Sequence, residues 1–242
     1  MRSYLVNDTP QKYEVVLRQQ EELFNALIKA KQVDEASEKS KDEYCILCVH
    51  DPIYTIGKRT VEDNFLLNMQ SLPAPIYKTN RGGEVTFHGH DQWVGYPIFD
   101  LEQHGIGLKH HIERLEEAII FVLSHYGINS HRSDKGAGIW VGNAKICAIG
   151  VRASRYVTMH GFALNVNTDL SYYNAIVPCG IRNASVTSMQ DQLDQVEACM
   201  HESHLEQAEP NKELMAPLEP PFSIYEIILI QPLFANQSNR PQ

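Results

Sequence analysis

The chain lacks any apolar run that approaches the roughly 20 residues of a membrane-spanning helix. Its first residues lack a basic lead followed by an apolar block, and they also lack an Arg- and Ser-rich amphipathic pattern. We therefore expect no targeting peptide, no membrane anchor and a cytoplasmic location. The five cysteines are an odd number in 242 residues, which favours reduced thiols over a disulfide framework.

Positive charge is scarce, because 21 Lys and Arg residues stand against 30 Asp and Glu residues and the formal net charge is -9. This balance argues against nucleic acid as the main partner. Residues 135–168 contain no acid, whereas residues 190–226 are strongly acidic. The basic residues of the first segment are Lys135, Lys145, Arg152 and Arg155. We expect one domain over residues 1–242, with an acidic C-terminal appendage from about residue 190 to residue 242 that contains a Pro-rich linker at 210–221.

Apolar residues at helical spacing predict two amphipathic helices. The first begins at Thr9-Pro10, a pair typical of an N-cap and a first helical position, and ends before the polar run 33–43. The second covers residues 108–126 and ends at Gly127, a residue typical of the position after a helix. A further helical segment is predicted within residues 191–208.

Short β-forming segments separated by glycine and proline predict several strands. The segment YCILCVHDPIYTIGK indicates two strands around a bend at Pro52, and TNRGGEVTFHGHDQWVGYPIFDL indicates strands joined by flexible loops. Gly142-Asn143 suits a type II′ turn between two strands, and residues 160–167 indicate another strand. The pattern favours an α/β fold with a mixed, largely antiparallel sheet flanked by helices over a doubly wound sheet.

Arg81-Gly82-Gly83 is a first candidate for ligand binding. Glycines let the backbone approach a ligand closely, and an adjacent arginine can meet a carboxylate or a phosphate. Adjacent glycines are also common in plain turns, so the motif leaves both interpretations open.

Cys179 is a candidate nucleophile, because Pro178 restricts the backbone conformation before it and Gly180 allows a wide range of backbone conformations after it. This combination predicts a sharply turned loop and an exposed thiol, although a free cysteine is more often a small core residue. Cys45 and Cys48 lie in an apolar β-rich run, where core packing is a better interpretation than a redox or zinc pair. No histidine group matches a specific metal motif, so we predict no metal site.

Lys145 lies in an otherwise apolar strand, two residues before Cys147. Alternation along a strand predicts that the two side chains share one face. One interpretation is a lysine at the strand edge with its ammonium in water. The other is an ammonium beside a thiolate, which it stabilises by lowering the pKa of the thiol. The spacing leaves both open.

Three ordered motifs resemble the octanoyltransferase family of lipoate synthesis. They are DPIYTIG, RGGEVTFHG and WVGNAKICAIGVRASRYVTMHGFALNVNTDLSYYNAIVPCGI, and the resemblance extends from about Tyr13 through Thr187. It implies the fold of biotin and lipoate protein ligases and a single acyltransferase catalytic domain. The chain departs from the usual HGPGQ of the family at His90-Asp91, and Cys147 stands where the family often has alanine.

The resemblance implies that Cys179 is the acyl-carrying nucleophile and that Lys145 is the cation that activates it. It also implies an acyl pocket. The residues carried over to that pocket are Arg81, Gly82, Gly83, Glu84, Val85, Thr86, Phe87, His88, Ala148, Ile149, Gly150, Gly161, Phe162 and Ala163.

The implied reaction transfers an octanoyl (lipoyl) group from octanoyl-acyl carrier protein, through a Cys179 thioester, to a lysine of a lipoyl domain. The acceptors would be lipoyl domains of 2-oxoacid dehydrogenases and the glycine cleavage H protein. No cofactor, metal or nucleotide is required, because the thioester supplies the driving force. We expect a monomer whose acidic partners dock at the basic middle of the chain, near Arg152 and Arg155.

Three alternatives remain open. An ATP-dependent lipoate or biotin ligase on the same fold would use the glycine-rich loop and Lys145, but it has no role for Cys179. A lipoyl amidotransferase that moves lipoyl groups between proteins would use the same cysteine. A non-catalytic lipoyl-domain binder would show no covalent acylation.

Overall fold

The computed structural model describes residues 2–32, 42–61, 64–134, 136–177 and 185–202. Within them the chain forms a mixed α/β fold in which a mostly antiparallel sheet is flanked by helices, which confirms the predicted fold class. No helix in this part of the chain is long and apolar enough to cross a membrane. Cys179, Lys135, the predicted helical residues 203–208 and the Pro-rich linker lie outside the described residues.

The described strands and helices alternate irregularly along the chain. The strands are β1 (Arg2–Gln11), β2 (Glu43–His50), β3 (Ile53–Ile56), β4 (Ile76–Lys78), β5 (Val85–His88), β6 (Gln92–Ile98), β7 (His131–Arg132), β8 (Gly138–Val141), β9 (Ala144–Ser154), β10 (Val157–Asn165) and β11 (Ser185–Val186). The helices are α1 (Tyr13–Gln32), α2 (Leu108–His125) and α3 (Met189–Glu202), with short 3-10 helices at Met69–Ser71 and Leu170–Ala175.

The main sheet has the order β1-β2-β6-β10-β9-β8-β7, and β11 pairs with β9. β1 is parallel to β2 and β11 is parallel to β9, whereas the other neighbours are antiparallel. A smaller sheet has the order β4-β3-β5. The two strands predicted around Pro52 are confirmed, but they lie in different sheets, because β2 pairs with β6 and β3 pairs with β5.

α1 packs on one face of the main sheet through apolar side chains that contact β2, β6 and β10. The prediction that this helix begins at Thr9-Pro10 is wrong, because both residues belong to β1. The register of β1 with β2 shifts between Asn7 and Pro10. Proline has no N–H to donate, so an irregular edge strand accommodates it, and the helix begins only at Tyr13.

α2 packs on the opposite face of the sheet, where Leu115, Ile119 and Leu123 join one core cluster. Its predicted end is confirmed: the helix stops at His125, and Gly127 has a φ of 72°, the left-handed conformation that ends many helices. α3 adds side chains to the same cluster. The first turns of the segment predicted as an acidic appendage therefore pack against the core.

The predicted hairpin at Gly142-Asn143 is confirmed, since it joins β8 to β9. Gly142 has a φ of 54°, which the first central residue of a type II′ turn requires. The hairpin places the N-terminal end of β9 between β8 and β11, in the sheet that α2 covers.

β9 contains a bulge that changes which side chains share a face. Lys145 pairs with Trp140 and Cys147 pairs with Ile139, so Ile146 is an extra residue. Residues that oppose each other in an antiparallel pair point to the same face of the sheet. Ile139 and Trp140 are consecutive and point to opposite faces, so their partners Cys147 and Lys145 also point to opposite faces. The prediction that Lys145 and Cys147 share a face is therefore wrong.

Candidate active site

A cavity of about 670 Å³ lies between the glycine-rich loop (residues 81–83), β9 and β10. Its volume falls within the roughly 300–1,000 Å³ that small-molecule sites occupy. Three segments that are distant in sequence meet there, and each holds residues predicted for the site. The predicted residues that line the cavity are Arg81, Gly82, Gly83, Glu84, Val85, Thr86, His88, Lys145, Ala148, Ile149, Gly150, Gly161, Phe162 and Ala163.

Glycines allow the walls of the cavity to lie in direct backbone contact. The Gly82 N–H donates to the Val151 carbonyl at 3.2 Å, so the glycine-rich loop lies on β9. A Cβ at Gly150 would lie 2.9 Å from the Gly82 carbonyl oxygen, too close for any side chain. A Cβ at Gly161 would collide with a carbonyl of β6. These predicted pocket glycines thus form the wall by close packing.

Arg81 ties the glycine-rich loop to β3. Its Nη2 donates to the carbonyl oxygen of Thr55 at 2.6 Å and to the Thr55 hydroxyl at 3.0 Å, and its Nη1 donates to the Gly82 carbonyl at 2.9 Å. The side chain is buried and lines the cavity. Arg81 therefore shapes the loop through protein contacts, and a contact with a substrate carboxylate or phosphate stays a prediction.

His88 is held in one neutral form on the cavity wall. Gln92 donates its amide Nε2 to the Phe87 carbonyl and to Asn165, so its Oε1 accepts from His88 Nδ1 at 2.9 Å. The other nitrogen, Nε2, then accepts from the Thr55 hydroxyl at 3.1 Å. Burial, and next the electrostatic influence of His50 and Arg81, hold the pKa of His88 well below its usual value.

Phe87 does not line the cavity, although the resemblance implied that it would. Its ring stacks on Tyr172 with 4.3 Å between the ring centroids and packs in a separate core cluster. Successive side chains of a strand point to opposite faces, so Thr86 and His88 face the cavity and Phe87 faces away from it.

The sequence interpretation missed an aromatic group at the cavity wall. Tyr13 and Tyr96 line the cavity, and the Tyr96 hydroxyl donates to His50 Nε2 at 2.7 Å. His50 Nδ1 donates to the Gln11 carbonyl at 3.1 Å, and burial lowers the pKa of His50 to about 4. His50 and Tyr96 are polar rings inside otherwise apolar strands, which was the available signal in the sequence, whereas Tyr13 begins α1.

His160 is a second site residue that the sequence interpretation missed. It lines the cavity in the left-handed conformation, with a φ of 58°, and its Nε2 donates to Asn80 Oδ1 at 3.0 Å. Its buried Nδ1 has no hydrogen-bond partner within the described chain. Burial, and next the charge of Arg81, lower the pKa of His160 to about 3, so the ring is neutral.

Lys145 lies at the opposite end of the cavity wall from His160, because Val151 of β9 pairs with His160. Its side chain is buried, Nζ donates to the Ala137 carbonyl at 3.2 Å, and the ammonium lies 5.2 Å from the centroid of the Trp140 ring. The interpretation of a strand-edge lysine with its ammonium in bulk water is wrong.

The described cysteine side chains are poor nucleophiles. Cys147 is fully buried on the face opposite Lys145, and burial raises the pKa of its thiol to about 12. Burial likewise raises the pKa values of Cys45 and Cys48, which confirms their core packing. Cys179 lies outside the described residues, and its role as a nucleophile stays a prediction.

The departure at His90-Asp91 forms a tight turn between β5 and β6. Asp91 has a φ of 55°, a conformation in which glycine, asparagine and aspartate are the favoured residues. Its carbonyl accepts from the backbone N–H of Val166 and Asn167 and from the Thr168 hydroxyl. Aspartate therefore occupies a position where the family pattern has glycine, and the turn still forms.

Comparisons with known proteins agree with this geometry. The profile of the lipoyl protein ligase A/B catalytic domain matches residues 13–207. The chain is similar to an octanoyltransferase of Bacteroides fragilis, at 45% identity over 189 residues that cover 75% of this chain and 84% of the relative. It is also similar to an octanoyltransferase of Flavobacterium johnsoniae, at 43% identity over 216 residues that cover 81% of this chain and 93% of the relative.

Two solved structures share the fold. A lipoate-protein ligase A bound with ATP aligns with a TM-score of 0.55 at 16% identity, over 98% of this chain and 96% of that chain. A putative lipoate protein ligase from T. acidophilum with bound lipoic acid aligns with a TM-score of 0.56 at 16% identity, over 97% of this chain and 95% of that chain. At this identity the likeness concerns the fold, and it confirms the predicted lipoate-ligase fold.

Proposed function

Since this chain belongs to the octanoyltransferase family and is an acyltransferase of lipoyl or octanoyl groups, we propose that it acts through a covalent thioester on Cys179. The observation that carries the proposal is the cavity, where a buried ammonium and three predicted pocket segments meet. The described cysteines offer no reactive thiol to such a cavity. Cys179 is then the remaining candidate with a turn-favouring sequence around it.

The chain around Cys179 supports its pairing with Lys145. Val177 is anchored, because its N–H donates to the Asn64 carbonyl at 2.8 Å. After Cys179 the described chain resumes in β11, where Val186 pairs with Lys145. Six residue steps separate Cys179 from Ser185 and span at most about 3.6 Å each, so the chain length allows the proposed approach of the thiol to the ammonium.

The first step would be attack of the Cys179 thiolate on the thioester carbonyl of an octanoyl donor. A bond forms between the carbonyl carbon and the Cys179 sulfur, the bond to the donor sulfur breaks, and the departing thiolate takes a proton from water. Lys145 favours this step by stabilising the attacking thiolate. Backbone N–H groups are the donors that such a site uses for the transient oxyanion.

The second step would be attack of a neutral lysine amine on the acyl-enzyme. A C–N bond forms, the bond to the Cys179 sulfur breaks, and the attacking nitrogen loses a proton to water. The products are an octanoyl amide and the regenerated thiolate. We propose octanoyl-acyl carrier protein as the donor and a lipoyl-domain lysine as the acceptor.

The acyl chain is proposed to lie along the apolar part of the cavity wall. Val94, Ala148, Ile149, Phe162 and Ala163 line this part. Burying a chain there removes apolar surface from water at roughly 25 cal/mol per Å². The rings of His88 and His160 also line this cavity, and burial keeps both neutral at pH 7.

Intact-mass spectrometry after mixing the enzyme with octanoyl-acyl carrier protein, without ATP, tests the mechanism. The parent should gain one octanoyl group, Cys179→Ala should gain none, and Cys147→Ala should gain one as the parent does. The two alanine variants are matched, since each removes one thiol. Acylation of the Cys179→Ala variant would contradict the assignment, and octanoate transfer that requires ATP would favour a ligase.

A further inference from the structure

One peptide unit near the cavity lies between two buried charged side chains. The carbonyl oxygen of Ala137 accepts a hydrogen bond from Lys145 Nζ at 3.2 Å. The N–H of the same peptide, which belongs to Gly138, donates to Glu116 Oε1 at 3.1 Å. A single amide thus connects a carboxylate of α2 with the ammonium on β9.

Burial makes this connection energetically important. Glu116 is 7% exposed and Lys145 is 5% exposed. In an environment of low dielectric constant, hydrogen bonds in a chain polarise one another. A carboxylate at the N–H end increases the negative charge on the carbonyl oxygen at the other end, which makes that oxygen a stronger acceptor for an ammonium.

The backbone and an ion pair fix the geometry. Gly138 has a φ of 137°, and a Cβ there would lie 2.6 Å from the Cys147 carbonyl oxygen and 3.0 Å from Lys145 Nζ. Only glycine lets this peptide lie against the lysine. Arg132 Nε donates to the second oxygen of Glu116 at 3.1 Å, so the carboxylate has a defined orientation.

We propose that Glu116 is a positioning residue for Lys145, which it holds at the cavity wall through the Ala137–Gly138 peptide. The inference rests on the proposed function, in which Lys145 promotes acyl transfer. Glu116 does not line the cavity, so it acts through the peptide and not on the substrate.

The substitution Glu116→Gln removes the charge and keeps the size of the side chain. Glu117→Gln is the matched control, because Glu117 is the next residue of α2 and bonds to the same Arg132 at 2.5 Å, but it is half exposed. Octanoyl transfer is measured as kcat and KM for octanoyl-acyl carrier protein, with the melting temperature of each variant. We expect Glu116→Gln to lower kcat about tenfold with KM nearly unchanged, and Glu117→Gln to leave both at the parent values.

A double-variant cycle with Lys145→Met separates positioning from general damage. If Glu116 acts through Lys145, Glu116→Gln should cause no further loss of kcat in the Lys145→Met background. An equal further loss in that background would overturn the inference, as would a parent-like kcat for Glu116→Gln alone. If either of these results is obtained while Lys145→Met alone has a low kcat, the inference about Glu116 fails and the proposed role of Lys145 stands. If Lys145→Met alone has the parent kcat, both the inference and the proposed role of Lys145 fail.

Gly138→Ala tests the same contact if Glu116→Gln melts below the assay temperature. Its added methyl would lie 2.6 Å from the Cys147 carbonyl oxygen and 3.0 Å from Lys145 Nζ, so both the β9 backbone and the ammonium would have to shift. The expected result is a fall in kcat of the parent enzyme and none in the Lys145→Met background. A fall of the same size in both backgrounds would count against the inference.

Discussion

Lys145 shows how an ammonium is retained in an apolar strand. Burying an unpaired cation is costly, and the Ala137 carbonyl and the face of Trp140 offset that cost. A cation over an aromatic face contributes roughly 0.5–2 kcal/mol, more where water is excluded. The bulge at Ile146 turns the side chain to the cavity, so the residue stands where a reacting group can use its charge.

The substitution Lys145→Met keeps the apolar stem and removes the charge. If Lys145 stabilises the Cys179 thiolate, the pKa of that thiol should return toward roughly 8.5 in the variant. Each pKa unit corresponds to about 1.4 kcal/mol, so most of the thiolate present at neutral pH should disappear. Iodoacetamide alkylation against pH, in a background without the other four cysteines, measures the shift directly.

The alkylation curve of Lys145→Met should lie at higher pH than the parent curve, and the transfer rate should fall with it. Lys109→Met is a suitable control, because Lys109 is highly exposed on α2. Coincident curves for Lys145→Met and its parent would remove Lys145 from the activating role.

Among the elements, the turn between β5 and β6 allows a stability prediction. Asp91 occupies the left-handed region, which costs non-glycine residues roughly 1–2 kcal/mol. We expect Asp91→Gly to equal or exceed the parent in its free energy of unfolding, and Asp91→Val to lose about 1–2 kcal/mol. Urea denaturation followed by circular dichroism measures both.

The neighbouring residue provides the control for this turn. His90 is exposed and does not have a positive φ, so His90→Gly adds conformational freedom to the unfolded chain and otherwise removes only an exposed 3.9 Å contact with Asp51. It should lose about 0.4–1 kcal/mol. A larger loss in Asp91→Gly than in His90→Gly would show that the aspartate is not replacing a glycine at this turn.

The elements also show which parts of the fold follow from local sequence. α2, the β8–β9 hairpin and the strands around Pro52 were predictable, because helical periodicity, a Gly-Asn turn and a proline bend are local signals. β1 was not, because its strand conformation depends on parallel pairing with β2 about forty residues later. The Thr9-Pro10 pair offered a local helix signal that tertiary pairing overrode.

The site shows the same division between local and long-range signals. The glycine-rich loop and residues 148–150 and 161–163 were identified from the family resemblance, and the cavity contains them together. The bulge at Ile146 could not be predicted, since it depends on which residues of β8 oppose it. Tyr13 and His160 were missed because their chemistry appears only when α1 and β10 meet the cavity.

At the scale of the whole molecule, charge and cavity suggest where acidic partners dock. Lys58 and Arg59 are exposed and line the cavity. Arg152 is less available, because its guanidinium packs over the Phe24 ring at 5.1 Å. We propose that acidic carrier and acceptor domains meet the first pair.

The double substitution Lys58→Glu and Arg59→Glu should raise KM for octanoyl-acyl carrier protein and reduce the dependence of KM on salt concentration. Arg155→Glu tests the basic middle of the chain in parallel, and Lys109→Glu controls for net charge. Steady-state kinetics over a salt series gives both quantities. Unchanged kinetics in the double variant, together with a raised KM in Arg155→Glu, would contradict this proposal and place the docking surface near Arg152 and Arg155, as the sequence alone predicted.

The buried histidines at and behind the cavity wall set an acid limit for the whole fold. His50 and His160 would titrate near 6.5 in the unfolded chain, but burial lowers their pKa values to about 4 and about 3 in the folded protein. Between pH 6.5 and those values the unfolded chain binds protons that the folded chain excludes, so proton uptake drives unfolding as the solution is acidified. Above pH 6.5 this contribution is constant. The imidazoles that stay neutral at pH 7 in the folded protein therefore make acid a denaturant of this protein.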